Sequence, residues 1–142
     1  MIPKFRFFGK VADGTMRMVY PGSIDFENGY INYSYRGYTA EGDEYVDGDV
    51  ICFEDFILMQ STCLFDKNGM EIYEGDIVKF SDCDDDVYIT PVVWDKNYAC
   101  FGVSFSGGYP ISFDYLEEFY TELKDIEVVG DIYENPELLE GE

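Results

Sequence analysis

Apolar residues in this chain come in short runs that stop at turn residues. Lys4–Phe8, Met16–Tyr20, Ser23–Glu27 and Tyr30–Tyr35 are separated by Asp13-Gly14, Pro21-Gly22 and Asn28-Gly29. Asn, Asp and Gly tolerate the positive φ of tight turns, so these runs predict an N-terminal β-meander. Arg36–Gly48 then shows no apolar period, holds three Gly and four acidic residues, and predicts an exposed loop at a lobe boundary. In the second half Ile77–Phe80, Val87–Trp94, Cys100–Phe105, Tyr109–Phe113 and Ile126–Ile132 are strand candidates. They are joined by Ser81–Asp86, Lys96-Asn97, Ser106-Gly107-Gly108 and one helical insert. Asp114 is positioned to cap that insert with Glu117 three residues on, and Leu116, Phe119, Tyr120 and Leu123 share one face. Asn135-Pro136 starts a last short helical turn, Asn as cap and Pro at its first position.

The fold expected is therefore mostly β with minor α. Residues 1–58 form an N-terminal β-rich lobe. Residues 59–142 form a five-stranded SH3-like barrel with a short helix before the last strand, together with the lobe one compact unit.

Charge changes the picture more than length does. The 142 residues carry 30 acids against nine bases, a net −21, and still hold 46% hydrophobic residues with 13 Tyr and 12 Phe. The aromatic content argues against disorder. The charge excludes ordinary nucleic-acid binding and an anionic membrane, because both surfaces would repel the chain. Without a signal-like N-terminus or an apolar run near the roughly 20 residues a membrane span needs, a cytosolic location is expected. Cys52, Cys63, Cys83 and Cys100 are too widely spaced for a zinc motif and no His is present, so they are expected as reduced thiols.

Missing His also removes Ser–His and Cys–His pairs and most metal centres. No enzyme activity and no cofactor are expected. Asp82, Asp84, Asp85 and Asp86 resemble a hard-cation loop but lack the Gly and the bidentate Glu of an EF-hand, which favours a solvated turn. Gly9–Thr15 has the glycine spacing of a phosphate loop without its Lys. Asn32-Tyr33-Ser34 fits a glycosylation sequon that a cytosolic chain does not use.

Binding candidates remain. Gln60, Ser61 and Thr62 lead out of Ile57-Leu58-Met59 close to Lys67, either as ligand contacts or as partners of a turn's backbone. Trp94 lies among Tyr88, Tyr98 and Tyr109, rings suited to a barrel core or to stacking on a base or an Arg. Arg6, Arg36, Lys67 and Lys79 are the cations that an anionic ligand would need.

The run Met59-Gln60-Ser61-Thr62-Cys63-Leu64-Phe65-Asp66-Lys67-Asn68-Gly69-Met70-Glu71-Ile72-Tyr73-Glu74-Gly75-Asp76-Ile77-Val78-Lys79-Phe80 resembles the signature of the YopX family. Val128–Leu139 resembles a second family run, and Pro3-Lys4-Phe5-Arg6, Met16 or Met18, and Ile24-Asp25-Phe26 fit its opening. The chain departs at Phe8, where Trp is usual, at Cys63, which replaces a turn Gly, and in Phe119–Glu127, which carries extra residues. The resemblance implies a small β domain of phage origin that assembles into a homo-oligomer, with no established activity. On this basis the expected role is a non-catalytic phage accessory protein that evades host defence by sequestering a nucleotide-derived signal between subunits. The alternatives are an acidic DNA mimic or inhibitor of a basic host protein, and a structural assembly protein.

Overall fold

Chain Phe5–Lys10 (β1) shows how the first unit is built: Phe7 is fully buried and meets Tyr33 and Phe56 edge-on, with ring centroids 5.5 and 4.3 Å away. The computed structural model describes residues 4–52, 55–105 and 108–140, with Asp49 described by its backbone alone. Pro3 of the opening motif and Ser106-Gly107 of the expected loop lie outside these residues. The chain divides into two compact units, Met1–Gln60 and Ser61–Glu142.

In the first unit Met16–Val19 (β2), Ser23–Asp25 (β3), Tyr30–Tyr38 (β4) and Glu44–Cys52 (β5) follow β1, and Phe56–Phe65 (β6) runs on into the second unit. β1 pairs antiparallel with β2 and with the first half of β6, while β4 lies between β3 and β5. β4 alternates exposed and buried residues without a break, so Ile31, Tyr33 and Tyr35 join Phe7, Val11 and Val19 in the core.

The loop expected at Arg36–Gly48 is instead most of a hairpin. β4 and β5 pair from Tyr30 with Cys52 to Tyr38 with Glu44, and only 39–43 is turn, closed by Thr39 N–H donating to Asp43 O. On β5 Val46 and Val50 are exposed along with Asp47 and Gly48, so no alternation of apolar-in and polar-out positions advertises the strand.

In the second unit Glu71–Tyr73 (β7) pairs with the far half of β6. Asp76–Ser81 (β8), Val87–Asp95 (β9), Cys100–Ser104 (β10), Pro110–Ser112 (β11) and Glu127–Asp131 (β12) form an antiparallel sheet ordered β11-β10-β9-β8-β12. The last strand thus lies beside the first, as in an SH3-like half-barrel. Val78, Phe80, Val92, Val103, Leu116 and Ile126 are the heart of its core.

Helix Phe113–Phe119 (α1) starts two residues earlier than a cap at Asp114 implies, and its cap is Ser112, whose Oγ accepts from Tyr115 N–H at 3.2 Å. Asp114 sits inside the first turn, because Ser112 is the last extended residue and only its side chain faces the free amides. Leu116 is buried, but Phe119 is exposed and lies on Tyr115 at 4.5 Å between centroids. Pro136 opens a 3₁₀ turn, Pro136–Leu139, as expected, whereas Asn135 turns its Oδ1 back to Asp131 N–H. Among the described residues no helix is long and apolar enough to cross a membrane.

Candidate functional site

The turn after β6 is organised by one buried carboxylate. Asp66 Oδ1 accepts from the N–H groups of Asn68 and Met70 at 2.9 and 2.8 Å, and Oδ2 accepts from Val128 N–H at 2.9 Å. Gly69 completes the turn at φ +78, a conformation that costs Gly little. Asp66-Lys67-Asn68-Gly69 is thereby the hairpin turn its sequence implies. Ser61 and Thr62 serve backbone in the same way: Ser61 Oγ accepts from Cys63 N–H, and Thr62 Oγ1 donates to Ile72 O and accepts from Leu64 N–H. They hold the bulge where β6 shifts register against β7 and Cys63 takes φ +63. Gln60 ends the first unit.

The cations chosen from sequence do not converge within either unit. Arg6 is buried on β1, opposite Met59 of β6. Arg36, exposed on β4, pairs with Glu44 at 3.2 Å. In the second unit Lys67 pairs with Glu127 at 3.2 Å, and Lys79 stands opposite Glu127 in the ladder between β8 and β12. Both lysines thus lie beside the same acid rather than forming a cationic pocket.

Other motifs close on themselves. Asp82 Oδ1 accepts from the N–H groups of Asp84 and Asp86, and Oδ2 accepts from Tyr88 OH at 2.9 Å. Partial desolvation works to raise the Asp82 carboxyl, but the donations from Tyr88 and the backbone outweigh it and hold it below its usual range. The same bond pushes Tyr88 up to about 12, aided by desolvation and the charges of Asp82 and Asp86. No group of three or more His, Cys, Asp or Glu among the described residues is placed to hold a metal. In 9–15, Asp13 accepts from Thr15 and pairs with Arg17 at 3.1 Å, so a carboxylate occupies the loop where a phosphate would need donors.

Trp94 is not core: it is 46% exposed and rests edge-on against Phe101, with centroids 4.9 Å apart. Its neighbour Asp95 points to the opposite face of the strand, where the second unit has a groove of about 560 Å³. The β9–β10 turn, β11 and α1 form its walls, and Asp95, Tyr98, Tyr109, Ile111, Asp114 and Tyr115 line it. Tyr98 is 81% and Tyr109 92% exposed, against 7% for Asp95. Among the described residues no Lys or Arg lines it. Tyr98 and Tyr109 are legible in the sequence as candidate rings. Asp95, Asp114 and Tyr115 are not, because three separate elements bring them to one place and no linear spacing relates them.

Chemically such a groove offers ring faces and carboxylate oxygens. It suits a cation with flat or apolar flanks and repels phosphate.

Comparison with known proteins agrees with the architecture. Protein EF1440 from Enterococcus faecalis, known as a crystal structure, is 27% identical, with a TM-score of 0.58 over 98% of this chain and 99% of that one. The crystal structure of YopX from Bacillus subtilis is 23% identical, with a TM-score of 0.53 over 96% and 97% of the respective chains, a likeness of fold. No curated protein matches the chain. The family model described as YopX protein matches residues 4–140, and the chain belongs to the YopX family.

Proposed function

We propose that this chain is a non-catalytic accessory protein of phage type that works by binding, and that its partner is the basic surface of another protein. The observation that supports this reading is the charge, 30 acids against nine bases, with several of the bases already spent on neighbouring acids, as in Arg17–Asp13, Arg36–Glu44, Lys67–Glu127 and Lys124–Glu122. Such a surface draws a cationic partner by long-range attraction. Sequestering a nucleotide-derived signal would need cations gathered where a ligand's phosphates lie. Within the units Arg6 is buried, and Arg36 and Lys67 are already paired with acids, so it is the weaker reading.

The test is retention of host proteins on the immobilised chain, followed by mass spectrometry of proteins and small molecules. The reading expects a basic host protein, retained at roughly 150 mM salt and released as screening rises. It expects weaker retention when Glu41, Asp43 and Glu44 are reversed to Lys. A nucleotide-like molecule carried through gel filtration, with no basic protein retained, would overturn it in favour of sequestration.

A further inference from the structure

The groove of the second unit has a largely buried acid in its lining. Asp95 ends β9, opposite Cys100 at the start of β10, and is 7% exposed. Its Oδ1 accepts from Asn97 N–H at 2.9 Å. Among the described residues no second hydrogen bond and no Lys or Arg reaches the carboxylate, and Oδ2 is not sealed from solvent, so it is open to the groove. A carboxylate open to a groove and lacking a cation of its own protein can take one from a partner. Here the surroundings supply rings: Tyr98 and Tyr109 are almost fully exposed, and Tyr115, steadied by Phe119, forms the helical wall. Asp114 adds a second acid to the lining.

We propose that this groove seats an arginine side chain of the partner protein. The inference rests on the basic-partner reading above and assigns it a place. A guanidinium is planar and carries a fork of donors. It can give hydrogen bonds to Asp95 Oδ2 and to Asp114 while its faces lie on tyrosine rings. Lysine offers a compact, strongly hydrated charge that uses the rings less well. A phosphate-bearing ligand meets two carboxylates and no cation in the lining. Charge complementarity thus selects the occupant, and the flat aromatic walls select Arg over Lys.

The probe is a fluorescent peptide alternating Gly and Arg, with a Gly–Lys peptide of equal length and charge, titrated by anisotropy at roughly 100 mM salt. Wild type is expected to bind the Arg peptide about tenfold more tightly than the Lys peptide. Asp95→Asn keeps an acceptor for Asn97 N–H and Tyr109→Ser alters a side chain outside the core, so both variants are expected to fold. Each should weaken the Arg peptide by about tenfold and the Lys peptide much less. Reversing Glu41 and Asp43 in the first unit should weaken both peptides equally. If both peptides bind and the groove variants match wild type, the groove assignment is wrong while the basic-partner reading stands. If neither peptide binds, both fail.

Discussion

At the scale of the residue, Asp66 does more than its turn requires. Two of its three accepted N–H groups are local, whereas Val128 is 62 positions away. Asp66→Ala orphans all three amides and should lower the stability of the second unit by on the order of 3 kcal/mol, read by urea denaturation through the fluorescence of Trp94. Asp66→Asn keeps one oxygen and should cost less than half as much. Gly102 is as constrained. A Cβ there would lie 2.0 Å from the carbonyl oxygen of Ile111, so Gly102→Ala must force β11 away from β10 and should cost on the order of 3 kcal/mol. It should also damage peptide binding in the groove.

Tyr88 gives a pH test. Its hydrogen bond to Asp82 raises its hydroxyl from the ordinary 10 to about 12. A raised folded-state value means that the stability this group contributes is complete below about pH 10. It is lost as pH rises toward 12, where the native form also ionises. The difference in melting temperature between wild type and Tyr88→Phe should therefore narrow across that window. A gap constant from pH 9 to 12 would show that the Asp82 bond does not form.

Among elements, the hairpin of β4 and β5 makes the sharpest claim. Thr39 and Asp43 close its turn by a backbone bond, and alternation from there turns the amides of Tyr45 and Asp47 toward β4 and those of Val46 and Gly48 outward. Gly48 N–H indeed donates to the Asp47 carboxylate at 2.8 Å, which blunts an edge that would otherwise recruit another strand. Hydrogen exchange should be slow at Tyr45 and Asp47 and fast at Val46. Uniformly fast exchange would restore the loop expected from sequence.

The sequence hides β5 because Val46 and Val50 face outward, on the same strand as the exposed Asp47 and Gly48, which leaves no period of buried apolar residues to read. The five barrel strands were legible, since Val, Ile and Phe cluster in each and turn chemistry separates them. The helix was legible too, apart from its cap, where Ser112 and Asp114 both look suitable and only backbone direction decides. Of the candidate site, single exposed rings could be suspected, but their meeting with Asp95 depends on β9, β11 and α1 packing together.

For the molecule as a whole, charge sets the response to solvent. With −21 on 142 residues, self-repulsion opposes compaction, and its range shrinks from about 30 Å at 0.01 M salt to about 8 Å at 0.15 M. Melting temperature should rise across that interval. A flat or falling profile would mean that bound cations already neutralise the acids. Exposed Tyr38, Tyr98, Tyr109 and Phe26 leave apolar surface for assembly. Light scattering at moderate salt should give a mass well above the 16.4 kDa of one chain.

The strand order bears on how the chain leaves the ribosome. β8 sits inside the finished sheet, yet one of its two neighbours, β12, is made only after α1. At roughly 5–20 residues per second, β8 waits several seconds with a bare edge of apolar Ile77, Val78 and Phe80. During that interval the Asp66 turn can already satisfy its local amides, so the nascent hairpin is ready when Val128 arrives. A message truncated between these points yields a sheet that has lost its last strand and keeps its appetite for one, the form of this protein most prone to aggregate.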